Sequence, residues 1–254
     1  AYATVISQLL SGLLCLFYMK KKFPILHFQK GELRLEKHYY KRLLFIGVPM
    51  GLQYSITAIG SVVLQTAVNG LGATPMAAIT AGQRISGFCC CVFDALGATM
   101  ATYAGQNSGA REYKRIDRGL WAATKIGSIY AVLICILLVL FGGEIPKIFI
   151  DGKEREVLAM TKQFLVANSL FFIPLVFVNC WRFTIQGMGF SGFAMLAGVS
   201  EMIARSLVAF IFIPIFGYIA ACYASPLAWL FADIFLVPAF YSCLKKLKSK
   251  TSVI

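Results

Sequence analysis

Seven apolar runs, each close to the length that crosses a bilayer, constrain this chain more than any motif in it. They cover residues 1–19, 43–68, 77–103, 120–141, 158–182, 193–213 and 218–244. A hydrocarbon core needs about 20 mostly apolar residues per helix. Backbone groups inside it must be satisfied within the segment, which a helix achieves. The expected fold class is all-α, a polytopic membrane helical bundle of about seven transmembrane helices. Composition removes the soluble alternative. The chain is 59% hydrophobic and 14% charged, with a mean hydropathy of +0.75, whereas soluble domains are about 45–50% apolar and about 25% charged.

The net charge of +13, from 24 Lys+Arg against 11 Asp+Glu, would suit a nucleic-acid binder if it formed one surface. Here the cations fall in blocks between apolar runs, at the depth of anionic headgroups. The expected partners are membrane lipids and no nucleic acid. Residues 20–42 carry eight basic residues against Glu32 and Glu36, and Lys245, Lys246, Lys248 and Lys250 follow the last run. Arg111, Lys114, Arg115 and Arg118 follow the third. The alternate connections have no basic excess: 69–76 and 214–217 carry no charge and 142–157 carries three basic against four acidic residues. The positive-inside rule therefore places the N-terminus outside and the C-terminus in the cytoplasm. The expected location is the cell (plasma or inner) membrane, multi-pass. Lys20, Lys21 and Lys22 follow the first run rather than preceding it, which argues for a spanning helix over a secretory signal. Residues 20–42 interleave Phe23, Phe28, Leu33 and Tyr39 with their cations and read as an interfacial amphipathic segment.

Punctuation fits these spans. Gly72 to Pro75 and Pro214 sit at expected outer turns, and Gly187, Gly189 and Gly192 mark the turn after the fifth run. Pro49, Pro174, Pro226 and Pro238 fall inside or near the ends of spans, where proline often marks a kink. Successive helical residues point about 100° apart, so Cys89, Cys90 and Cys91 cannot converge on one metal ion and read as small hydrophobes. Trp121 and Trp181 read as interface anchors. Phe171, Phe172, Phe177, Phe231, Phe235 and Phe240 read as packing or lipid-facing residues.

Ionisable residues at mid-span carry the functional signal, because each costs about 2.5–3.5 kcal/mol at a helix centre. Asp94, Glu201 and Asp233 occupy such positions and are the ion-coupling candidates. Glu201 and Arg205 are four apart on one face. They form either a self-neutralising structural pair or a pair that protonation or a cation can break. Asp94 and Asp233 lack a partner on their own helices, leaving proton or cation handling and interhelical hydrogen bonding as alternatives. Arg84 and Arg182 lie near span ends, where long side chains snorkel to the interface. In the second run Gln53, Thr57, Ser61, Gln65 and Asn69 recur at every fourth position, with Tyr54 beside them. This ridge is either glue between helices or the wall of a substrate cavity.

Other functions lack their residues. His27 and His38 both lie in the basic connection, and neither HExxH nor GxSxG occurs, so the chain is not expected to be an enzyme. A seven-helix receptor is a rival by helix count, yet no Lys lies in the last run and no DRY follows the third, which ends at Tyr103. Midplane acids, a polar ridge and kinking prolines are what a transporter requires.

Four motifs then bring a family into view. Gly47-Val48-Pro49-Met50-Gly51-Leu52-Gln53-Tyr54-Ser55-Ile56-Thr57 is the first. Gly105-Gln106-Asn107-Ser108-Gly109-Ala110 and Gln186-Gly187-Met188-Gly189 are the next two, with Phe149 to Val157 between them. In this order and spacing they resemble the multidrug and toxic compound extrusion (MATE) family. The resemblance implies a two-lobe secondary antiporter exporting organic cations or other drugs in exchange for Na⁺ or H⁺ by alternating access, with no cofactor beyond the coupling ion. The match implies four parts. Residues 1–19 would be a remnant of the last helix of the N-terminal lobe, and 20–42 a basic cytoplasmic inter-lobe loop. Residues 43–244 would be the six-helix C-terminal lobe, and 245–254 a basic cytoplasmic tail. The missing N-terminal lobe is an expected partner, the chain being read as a fragment of a longer protein or a half-transporter that pairs. Two departures matter. Where a branch of the family carries an acid eight residues after the proline, this chain has Thr57, so that cation site does not carry over. The resemblance also implies that other branches place the coupling acid in the N-terminal lobe. The candidate cavity residues are Gln53, Tyr54, Thr57, Gln65, Asn69 and Arg205. A flippase for lipid-linked sugars is the nearest alternative, with Arg84, Arg182 and Arg205 as the cations it would need.

Overall fold

The computed structural model describes residues 2–24, 36–148 and 154–251. The middle of the interfacial segment read from the sequence (25–35) and the first part of the 149–157 motif (149–153) lie outside the described residues. The chain divides into two units, Ala1–Leu44 and Phe45–Ile254. The first contains α1 (Tyr2–Lys22), which ends on its three lysines. Its apolar side chains are exposed along its length.

The second unit is a helical membrane bundle. It comprises α2 (Lys37–Asn69, from Phe45 onward), α3 (Ala73–Gly109), α4 (Tyr113–Phe141), α5 (Arg155–Ser169), α6 (Phe172–Gly187), α7 (Ser191–Leu207), α8 (Ile213–Phe216) and α9 (Tyr218–Thr251). Among the described residues, five helical segments are long and apolar enough to cross a membrane: α2, α3, α4, α7 continuing through α8, and α9. The α5–α6 pair counts as a sixth if taken as one broken span. These six correspond to the six runs read between residues 43 and 244, while α1, the seventh, stands outside this set.

Two breaks have a chemical cause. Pro174 has no N–H, and its ring collides with the carbonyl four residues back, that of Leu170. The helix stops at Ser169, restarts at Phe172 and turns by 52° between them. Pro214 acts on the carbonyl of Phe210 in the same way. The ladder slips into a π-helical stretch, Val208–Phe212, and Ile213 donates to Val208 five residues back. Pro214 therefore sits inside α8 rather than in the outer turn expected from sequence. The reversal falls on Gly217, whose φ of 57° is open to glycine at no steric cost. Gly72 and Gly189 turn the chain in the same left-handed region. Pro49, Pro226 and Pro238 lie within continuous helices.

Packing follows the membrane rule that small residues let backbones approach. On α3, Gly97, Ala101 and Gly105 are four apart and form a stripe that α6 enters. A Cβ on Gly97 would lie 2.6 Å from the ring of Phe183, and one on Gly187 would lie 2.2 Å from the backbone oxygen of Ala101. Gly187→Ala can be relieved only by moving two backbones apart. It is expected to cost about 1–3 kcal/mol, read as a lower unfolding midpoint of the purified protein, whereas Gly192→Ala, open to space, should cost less.

The larger core is aromatic. Phe93, Phe172, Trp181 and Phe240 are fully buried. Phe93 meets Phe172 edge-on at 5.6 Å, and Trp181 meets Phe240 edge-on at 5.2 Å. Trp181 thus departs from the interface position read for it. It lies between Phe177, Trp121 and Phe240, and Trp121 keeps the partly exposed edge. Cross-helix hydrogen bonds complete the frame: Tyr130 Oη donates to the Cys89 carbonyl (3.0 Å), Asn168 Nδ2 to that of Cys222 (3.2 Å) and Tyr218 Oη to that of Met160 (2.6 Å).

Candidate functional site

Where α2, α6, α7 and α9 meet, the bundle holds a group of buried charges. Glu201 of α7 is 3% exposed and lies between two arginines. Arg182 of α6 donates through Nη2 to its Oε1. Arg205, one helical turn along α7, places Nη2 3.4 Å from its Oε2. The four-residue spacing read from the sequence does form a pair, but the shorter contact is to the other helix. Arg182 is also a correction, because it is buried and ion-paired rather than snorkelling to an interface. A charge taken out of water is costly unless paired, and Glu201 is the partner within reach of its guanidinium.

Asp233 of α9 is half-buried. It lies within electrostatic reach of Arg182 and Glu201, and its Oδ1 has no hydrogen-bond partner among the described residues. Two of the three midplane acids, Glu201 and Asp233, are therefore brought to one centre. Asp94 is apart from them, on the exposed face of α3.

That face shows how polar groups are tolerated. Thr80, Thr99 and Thr102 donate their hydroxyls to carbonyls four residues back, those of Met76, Ala95 and Ala98. Such hydroxyls satisfy themselves and can face lipid. A carboxylate has no donor of its own when ionised, and Asp94 cannot do the same. Arg84 shares the exposed surface of α3, ten residues away or about 15 Å along the axis.

Side chains of the polar ridge of α2 make contacts both across helices and within the helix. Gln53 is buried and its Oε1 accepts from Gln186 Nε2 at 2.7 Å; it joins α2 to α6. Thr57 and Ser61 face Arg205, whose Nη1 donates to the Thr57 carbonyl at 3.4 Å and to Ser61 Oγ at 3.3 Å. Gln65 Nε2 donates to Asn69 Oδ1 at 2.9 Å. Tyr54 points away from the core and is 58% exposed. Gln186 was not read as a site residue: its motif marked it as part of a turn, and nothing in the sequence pairs it with Gln53, 133 positions away.

Beyond Arg205 lies a cavity of about 70 Å³, whose polar lining is Ser61, Gln65, Gln83, Arg205 and Ser225. Among the described residues, no three His, Cys, Asp or Glu side chains are grouped to hold a metal ion.

A bundle of membrane-length helices with charges paired at its centre is the architecture of a polytopic membrane protein. The family comparison is specific: the MatE family matches residues 49–215, and the chain belongs to that family. It is 28% identical over 214 residues to the probable multidrug resistance protein YpnP of Bacillus subtilis, covering 83% of this chain and 44% of that protein. It is 27% identical over 166 residues to the probable multidrug resistance protein YoeA of the same organism, covering 63% and 35% respectively. The chain thus spans less than half the length of these relatives. In fold it is similar to a crystal structure of MATE in complex with MaL6, with a TM-score of 0.89 at 17% identity, over 98% of this chain and 56% of that one.

Proposed function

We propose that this chain is the C-terminal lobe of a multidrug efflux antiporter. It would export organic cations or other drugs in exchange for Na⁺ or H⁺ by alternating access with an N-terminal lobe. The family and the two probable multidrug resistance relatives support the general reading. The observation that carries the site is Asp94, an acid at mid-span on a helix face whose hydroxyls satisfy themselves. In this reading Asp94 meets the cationic substrate or coupling ion, with Tyr54 as an aromatic surface on α2. Asp233 responds to protonation or cation binding, since Arg182 and Glu201 lie within its electrostatic reach. Glu201 holds the two arginines. The positive-inside distribution supports a cytoplasmic C-terminus in the plasma or inner membrane.

The flippase alternative needs exposed cations. Arg182 and Arg205 are engaged by Glu201, which leaves Arg84 of the three and weakens that reading.

The test is efflux of ethidium, an organic cation, from cells expressing the full-length protein. Asp94→Asn is expected to slow efflux at least about tenfold, the loss of one charge-assisted contact, with membrane expression unchanged. Asp233→Asn is expected to shift the dependence on Na⁺ or pH. Wild-type efflux and coupling in both variants would remove these acids from the mechanism.

A further inference from the structure

Arg205 is 8% exposed, yet its contacts are long: 3.4 Å to Glu201, 3.4 Å to the Thr57 carbonyl and 3.3 Å to Ser61 Oγ. A guanidinium carries five N–H donors in a fixed fork. Glu201 reaches it only through Oε2, while Oε1 accepts from Arg182. The two arginines and Glu201 alone carry a net charge of +1, which an ionised Asp233 brings to zero. Asp233 acts on the Arg182 and Glu201 side of this group. The other side of Arg205 faces the cavity of about 70 Å³, whose lining includes the Ser225 hydroxyl and the Gln83 amide. The Ser61 hydroxyl is donated to the Thr57 carbonyl at 3.1 Å and Gln65 Nε2 to Asn69. No carboxylate is among the residues lining it. The space admits one or two particles of water size, at roughly 30 Å³ each.

We propose that this cavity binds a small monovalent anion of the halide type. Arg205 supplies the charge, and the Ser225 hydroxyl and Gln83 amide supply neutral donors. The anion pairs with Arg205 on the side away from Glu201 and Asp233, where no carboxylate lines the cavity. Size and chemistry set the class. A carboxylate or phosphate on a larger molecule exceeds the cavity, and a cation would meet the guanidinium. All the residues that line the site belong to this bundle, and its test does not depend on which drug is carried.

The experiment is thermal unfolding of the purified full-length protein in detergent at constant Na⁺ and ionic strength, with chloride replaced stepwise by gluconate. Gluconate is too large for the cavity. A saturable rise in the unfolding midpoint with chloride is expected, reproduced by bromide, as for any ligand that binds only the folded state. The deciding variant is Gln83→Leu with Ser225→Val, which removes neutral donors and leaves the ion triad in place. It is expected to weaken the apparent chloride affinity about tenfold. Arg205→Gln, where it folds, is expected to abolish the response. Identical unfolding in chloride and gluconate would overturn the proposal, and so would an unchanged chloride response in the double variant. Because binding is read without transport, either failure leaves the efflux reading to its own test.

Discussion

Glu201→Ala is expected to cost about 4 kcal/mol of stability, within the range of about 3–5 kcal/mol for removing one partner of a buried ion pair. The change leaves Arg182 and Arg205 facing each other across an emptied site, each side chain only 10% exposed. Two like charges then lose both their counter-charge and any solvent to replace it. Glu201→Gln keeps the volume and a hydrogen-bond acceptor and should cost less. Replacing all three residues by methionine should recover most of the loss, because burying no charge is cheaper than burying an unpaired one. Unfolding of the purified full-length protein in detergent measures all three variants. A Glu201→Ala protein within about 1 kcal/mol of wild type would mean that water reaches these arginines.

Trp181→Ala is expected to cost about 3 kcal/mol, the low end of the range for truncating a large aromatic core residue. Trp181 is 1% exposed and touches four aromatic neighbours: Phe177 stacked at 5.8 Å, and Trp121, Phe240 and Tyr241 edge-on at 5.6, 5.2 and 6.0 Å. In lipid the transfer from water contributes little, since the hydrocarbon around the bundle is as apolar as its core. The cost arises from lost dispersion contacts and the void left behind. Trp181→Phe fills most of that void and should cost less than half as much. Trp121→Ala, at a position already 39% exposed, should cost less than Trp181→Ala. Equal midpoints for Trp121→Ala and Trp181→Ala would show that the aromatic cluster does not form.

Much of the architecture is legible along the chain because the bilayer leaves few choices. A run of about 20 apolar residues must satisfy its backbone internally, so the six runs between residues 43 and 244 become α2 to α9. Proline effects were harder to read, since they depend on what lies four residues back. Pro174 breaks its span and Pro214 shifts the ladder, while Pro49, Pro226 and Pro238 sit inside continuous helices.

Partners across helices were much less legible. The spacing of Glu201 and Arg205 exposes their pairing, because four residues is one helical turn. The contact from Arg182 to Glu201 joins residues 19 apart on two helices, and no local pattern encodes it. Trp181 and Arg182 show the same limit. Their position near the end of a run suggested an interface, but the break at Leu170 and Phe171 redirects α6, and both side chains enter the core. The sequence by itself determined that this chain lives in a membrane, how many times its apolar runs can cross it and where charge breaks the apolar pattern, because each follows from length and local composition. Only the tertiary structure decided which charges meet, that Glu201 holds two arginines and that Asp94 stays on an open helix face, because burial and pairing depend on how helices far apart in sequence are rotated against one another.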